Sequence, residues 1–133
     1  MSDKVRVLIV DDDALHLSLT QRLLGSHGIE VLTCDSPLGV SNLVRHNKPD
    51  VVLLDVNMTQ LSGDRVLSVA RRHAPPGTQF ILYSAADEEK LRELATRAGA
   101  DGWLSKSTES EELVRKIRSF ARRGPAEGQA RDR

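Results

Sequence analysis

Apolar positions along this chain follow two alternating rhythms. Short runs rich in β-branched residues, Val5 to Val10, Ile29 to Thr33, Asp50 to Leu54, Gln79 to Tyr83 and Ala100 to Leu104, read as five strands. Longer stretches with helical spacing follow each of them. From about Asp13 to Ser26, Leu15, Leu19 and Leu23 recur every four residues, and Leu24 widens the stripe. Gly25 and Gly28 stand at its end, where a left-handed cap is needed. Ser36 before Pro37 has the form of an N-cap with proline at the first helical position, which predicts a helix to about His46. A third helix, from about Gly63 to His73, carries Val66, Leu67 and Ala70, and Pro75, Pro76 and Gly77 break the chain before the next strand. Asp87 to Arg97 places Leu91, Leu94 and Ala98 on one side. The last helix opens with Thr108 and Glu111 in capping-box spacing and buries Leu113, Ile117 and Phe120.

Five strand–helix alternations with short links imply an α/β fold, a parallel sheet wound on both faces by right-handed crossovers. Asp50 to Leu54 is apolar on both faces, as a central parallel strand requires. In such open sheets, ligands bind beyond the carboxyl ends of the strands, where the strand order reverses. A length of 133 residues fits one domain, expected over residues 1–123, with 124–133 a disordered polar tail or the start of a linker. Lys plus Arg and Asp plus Glu are both 19, so no net charge draws the chain to nucleic acid or an anionic membrane. One cysteine, Cys34, excludes a disulfide framework within the chain, and no run approaches the roughly 20 apolar residues of a membrane span. The expected setting is the cytoplasm, with neither membrane nor direct nucleic-acid contact.

Chemistry concentrates where strands end. The first strand runs into Asp11 and Asp12, the third into Asp55, the fourth into Ser84, and the fifth leads to Lys106. All five are expected on one rim of the sheet. Three carboxylates held together repel, and one lysine cannot balance them, so either some protonate or a divalent cation sits among them. Oxygen ligands with open water positions suit Mg²⁺, with Mn²⁺ as a second candidate. Such a rim supports attack by a carboxylate on a phosphoryl group, its oxygens held by the metal, the Lys106 ammonium and the Ser84 hydroxyl. Each residue alone has a structural explanation. Asp13, for example, reads as a helix cap. Their joint placement favours the chemical one.

VLIVDDD, DVVLLDVNM, ILYSA and GADGWLSKS resemble the landmark segments of bacterial two-component response-regulator receiver domains, over about Lys4 to Arg122. The resemblance implies a flavodoxin-like (βα)5 fold similar to the chemotaxis receiver, with strand order 2-1-3-4-5. It implies that Asp55 accepts a phosphoryl group from a histidine kinase or phosphotransfer protein. Mg²⁺ would be bound by Asp11 or Asp12, Asp55 and the backbone carbonyl of Asn57. Ser84 and Lys106 would contact the phosphoryl group, and Ser84 and Trp103 would form the switch pair. Arg115, Lys116, Arg118, Arg122 and Arg123 make the last helix basic, which is first of all the pattern of a solvated face. The sharper alternative is that strand five and the last helix form the surface read by a downstream protein partner or a second, phosphorylated copy.

Three positions depart from the family pattern. Thr59 replaces a usual proline, which predicts a looser loop after strand three. Ser107 replaces a commonly cis proline, and because a cis Lys–Ser bond costs roughly 2.5–4 kcal/mol, a trans bond and a rearranged loop are expected. Trp103 stands where tyrosine or phenylalanine is usual, which predicts only partial inward packing. His16, His27, His46 and His73 lie on separate helices or their ends, so they form no metal cluster, and Cys34 reads as a packing residue. The leading expectation is a receiver, either stand-alone or part of a larger regulator, that catalyses only its own phosphorylation and dephosphorylation. A phosphohydrolase would need a second aspartate where Asn57 stands, together with a cap insertion. A degenerate binding scaffold would not need the intact acids, Ser84 and Lys106.

Overall fold

Parallel pairing of five short strands places every carboxyl end of the sheet on one edge. In the computed structural model, which describes residues 4–56 and 63–123, the elements alternate without interruption. They are β1 (Arg6–Val10), α1 (Ala14–Ser26), β2 (Glu30–Cys34), α2 (Val40–Asn47), β3 (Val51–Leu54), α3 (Gly63–Arg71), β4 (Gln79–Ser84), α4 (Glu88–Ala98), β5 (Gly102–Ser105) and α5 (Ser110–Ala121). The order across the sheet is β2-β1-β3-β4-β5, all parallel, as expected. Strand order reverses between β1 and β3, which opens a crevice above their carboxyl ends.

Alternation along the strands divides the core into two layers. Leu8, Val10, Val52, Leu54, Phe80 and Leu82 face α2, α3 and α4, where Val44, Leu67, Ala70, Leu91 and Ala95 cover them. Val7, Ile9, Val51, Leu53, Ile81 and Tyr83 face α1 and α5, against Leu17, Leu24, Leu113, Val114 and Ile117. Gly102 lies under the Phe120 ring, and a Cβ there would come within 2.7 Å of the ring. Asp101 secures the start of β5 by accepting from the Phe80 N–H at 2.8 Å and from Arg71 at 3.3 Å.

Three local expectations fail. The leucine stripe of α1 is out of phase, since Leu17, Thr20 and Leu24 are buried while Leu15 and Leu19 are 69% and 54% exposed. Leucines at 15, 17, 19, 23 and 24 fit two helical phases, and packing against the sheet buries the one that holds Leu17 and Leu24. Helix α2 begins at Val40, not Ser36, because Ser36 and Pro37 instead form a turn. The Ser36 hydroxyl accepts from the Leu38 N–H at 3.2 Å, and the Val40 N–H donates to the Pro37 carbonyl at 3.4 Å. The capping box of the last helix does not form either. Its N-cap is Glu109, without a side-chain cap bond, and the Thr108 N–H closes a turn onto the Ser105 carbonyl. Of the two glycines closing α1, Gly28 takes the left-handed backbone at φ 82° while Gly25 stays inside the helix.

Gln79 is fully buried at the start of β4, and both polar atoms of its amide lack a hydrogen-bond partner among the described residues. An unpaired buried amide carries a desolvation cost of about 1–3 kcal/mol. Gln79→Met, which keeps the volume and removes that cost, is expected to stabilise the fold by about 1 kcal/mol in urea unfolding. A destabilised variant would show that the amide has a partner after all.

Candidate functional site

The edge is built by continuing the strand ladders one residue beyond each strand. After β1, the Asp11 N–H donates to the Cys34 carbonyl at 3.0 Å, and after β3, the Asp55 N–H donates to the Val10 carbonyl at 3.0 Å. Asp11 and Asp55 therefore leave neighbouring strands side by side, and both are buried. Asp12 is exposed beside them. Asp13 turns the chain into α1, donating its N–H to Asp11 Oδ1 at 3.0 Å and accepting from the Leu15 and His16 N–H groups. On the other side, the Lys106 N–H donates to the Ser84 carbonyl at 2.8 Å, which brings Lys106 to the same rim.

The Lys106 ammonium bridges the two buried acids, with Nζ 2.7 Å from Asp11 Oδ2 and 3.2 Å from Asp55 Oδ2. Burial pushes the Asp11 carboxyl up, but the Lys106 hydrogen bond, the Asp13 N–H and the Lys106 charge outweigh it and hold Asp11 below the usual carboxylate range. Burial likewise pushes Lys106 down, and its bond to Asp11 with the charges of Asp55 and Asp11 more than compensates, leaving its pKa raised. Oxygens of Asp11, Asp12 and Asp55 lie within 4.8 Å of one another. One ammonium leaves that trio short of positive charge. Carboxylate oxygens this close, one group facing solvent, fit a hydrated Mg²⁺, which takes one or two carboxylates directly and keeps several waters.

The structure brings Asp11, Asp12, Asp55 and Lys106 together, with Ser84 on the same edge, buried, its Oγ accepting from the Ala86 N–H at 3.3 Å. The Lys106–Ser107 peptide bond is trans, as expected, and the Ser105 and Ser107 hydroxyls pair at 2.8 Å to close the turn. Lys106 nonetheless reaches both acids. Trp103 is half-buried against the α2–α4 layer, three residues before Lys106. Asn57, Thr59 and residues 124–133 lie outside the described residues. Sequence reading missed Tyr83, whose ring lies 5.9 Å from Lys106 Nζ. Its position directly before Ser84 was the available signal.

With this geometry in place, comparisons with known proteins agree. The response regulator receiver domain family matches residues 7–118. The response regulator MprA of a Mycobacterium species is 35% identical over 127 residues, covering 93% of this chain and 54% of the relative. The probable transcriptional regulatory protein TcrX of Mycobacterium tuberculosis is 32% identical over 119 residues, covering 90% and 50%. The chain thus spans about half the length of these curated relatives. Among solved structures, the receiver domain of the putative response regulator NarL from Mycobacterium tuberculosis superposes with TM-score 0.80 at 32% identity, covering 91% of this chain and 98% of that one. A putative response regulator from Chloroflexus aurantiacus gives TM-score 0.81 at 25% identity, covering 91% and 100%. The chain belongs to the receiver-domain family of two-component response regulators. Phosphorylation switching is general in this family, and its members typically bind Mg²⁺.

Removing the ammonium should expose the electrostatic debt of the edge. Asp11, with its pKa lowered by folding, contributes stability above its unfolded pKa of about 3.9 and loses it as pH falls through the folded value. Lys106, with its pKa raised, contributes below about 10.4 and loses that contribution as pH rises through its folded value. Lys106→Met is therefore expected to cost roughly 3–5 kcal/mol at pH 7, because the buried Asp11 carboxylate loses its cation. That deficit should shrink as pH is lowered toward 3. Urea unfolding at both pH values measures it, and an equal deficit at pH 3 would contradict the pairing.

Proposed function

We propose that Asp55 accepts a phosphoryl group from the phosphohistidine of a histidine kinase or phosphotransfer protein, and that residues 1–123 act as the receiver. The observation that carries this reading is the Lys106 ammonium bridging buried Asp11 and Asp55 on the carboxyl edge of the sheet. An Asp55 carboxylate oxygen bonds to phosphorus as the bond from phosphorus to the donor nitrogen breaks, and that nitrogen leaves with its electron pair. Asp11, Asp12 and Asp55, with the Asn57 carbonyl, would hold Mg²⁺ (or Mn²⁺), which when bound offsets the negative charge of donor and acceptor. Lys106 exchanges its contact with Asp55 for a phosphoryl oxygen, and Ser84 donates its hydroxyl to another. Return of Ser84 and Lys106 to their resting partners follows hydrolysis of the acyl phosphate.

Output is read through β5 and α5, with Trp103 on β5, three residues before Lys106, as the side chain that responds. Ser84 moving toward phosphate changes the packing available to the indole, and a protein partner or a second copy recognises the altered face. The chemistry is confined to the domain's own modification, because Asn57 supplies no general acid of the kind a phosphohydrolase needs. The chain is assigned to the cytoplasm, where its phosphodonors operate. No helix among the described residues is long and apolar enough to cross a membrane.

Incubation with acetyl phosphate and Mg²⁺ is expected to add one phosphate to the intact mass, and Asp55→Asn should abolish the gain. An unchanged mass for the wild type, or a gain that persists in Asp55→Asn, would refute the assignment. The same incubation should alter Trp103 fluorescence, since this is the only tryptophan in the chain. No spectral change in a protein shown by mass to be phosphorylated would remove Trp103 from the switch.

A further inference from the structure

Lys106 is held on a third side that the two carboxylates do not explain. Its Nζ lies 5.9 Å from the centroid of the Tyr83 ring, at the outer edge of the range over which an aromatic face attracts a cation. Tyr83 is only 3% exposed, and its ring is itself held from α1. The His16 ring packs against it at 5.5 Å between centroids, tilted by 38°. His16 Nε2 is enclosed and has no hydrogen-bond partner among the described residues, and the ring meets Tyr83 through its face. Thr20, one helical turn beyond His16 on α1, is buried on the same side of the helix. The inner face of α1, the end of β4 and the tip of Lys106 thus form one continuous contact.

A lysine side chain has four rotatable carbon–carbon bonds, and ordering it has an entropy cost on the order of 2 kcal/mol. A rigid wall behind the ammonium narrows the space that the side chain samples before phosphate arrives. Resting on the reading of Asp55 as phosphoacceptor, we propose that Tyr83, its ring backed by His16, is a positioning residue that keeps Lys106 aimed at the Asp11–Asp55 pair and so sets the rate of phosphoryl transfer. Tyr83 touches no reacting atom in this role. Its effect passes through Lys106 alone.

That last property supplies the test. Phosphorylation by acetyl phosphate with Mg²⁺ would be timed by intact mass for wild type, Tyr83→Phe, Tyr83→Leu and Lys106→Met, and for the Tyr83→Leu/Lys106→Met double variant. Tyr83→Leu should slow the reaction about two- to fivefold, the range of a modest cation–π contact. Tyr83→Phe should stay close to wild type because the ring remains. In the Lys106→Met background, Tyr83→Leu should cause no further slowing. Circular dichroism checks folding, and if the leucine variant does not fold, Tyr83→Met fills the same volume without a ring. An unchanged rate in the ringless variant, slowing equal to it in Tyr83→Phe, or slowing that persists without Lys106 overturns the positioning role. A wild type that takes no phosphate overturns the phosphoacceptor reading and this inference with it. A wild type labelled on Asp55 beside an unaffected ringless variant overturns this inference only.

Discussion

Two carboxylates that leave adjacent parallel strands at the same level repel each other by about 4 kcal/mol at an effective dielectric constant near 20, unless a cation stands between them. In this domain the cation is the Lys106 ammonium, and much of the fold is arranged to deliver it. Strand β5 must lie beside β4, and the Lys106 N–H must extend that ladder onto the Ser84 carbonyl. The turn through Ser105 and Ser107 then sends the side chain back across two strands to Asp11 and Asp55. Asp11 is placed by the Cys34 carbonyl of neighbouring β2 and by Asp13, whose cap also starts α1. A displacement of any of these elements would leave buried negative charge without its partner.

The same ammonium stands where the two layers of the core meet the edge. Tyr83 belongs to the α1–α5 layer and Trp103 packs on the α2–α4 layer, and both lie within three residues of Ser84 or Lys106 in the chain. Under the proposed function, a change in charge at Asp55 would act on groups that continue directly into both helical layers. Packed interiors deform little, so movement of one such group must be taken up by its neighbours.

Residue order made the sheet legible because buried parallel strands are short apolar runs, and β1, β3 and β4 carry little else. The acids, Ser84 and Lys106 were legible for a related reason: residues at or just beyond the carboxyl end of such a strand lie on the carboxyl edge. Helix detail was less so. Leu15 and Leu19 read as core because five leucines in ten positions satisfy more than one phase, and only packing against β2 and β4 distinguishes them. Ser36 and Pro37 satisfied the rule for a helix start, yet the backbone there satisfied its polar groups in a turn.

By itself, the sequence determined the alternation of elements, the site residues on one edge and the excess of negative charge among them, since each depends on spacing and residue type alone. Tertiary structure decided which pair the lysine bridges, which face α1 buries and that an aromatic ring stands behind the ammonium. Those are contacts between residues far apart in the chain. Lys106 and Asp11 are separated by 95 positions, and no local periodicity carries a distance across such a gap.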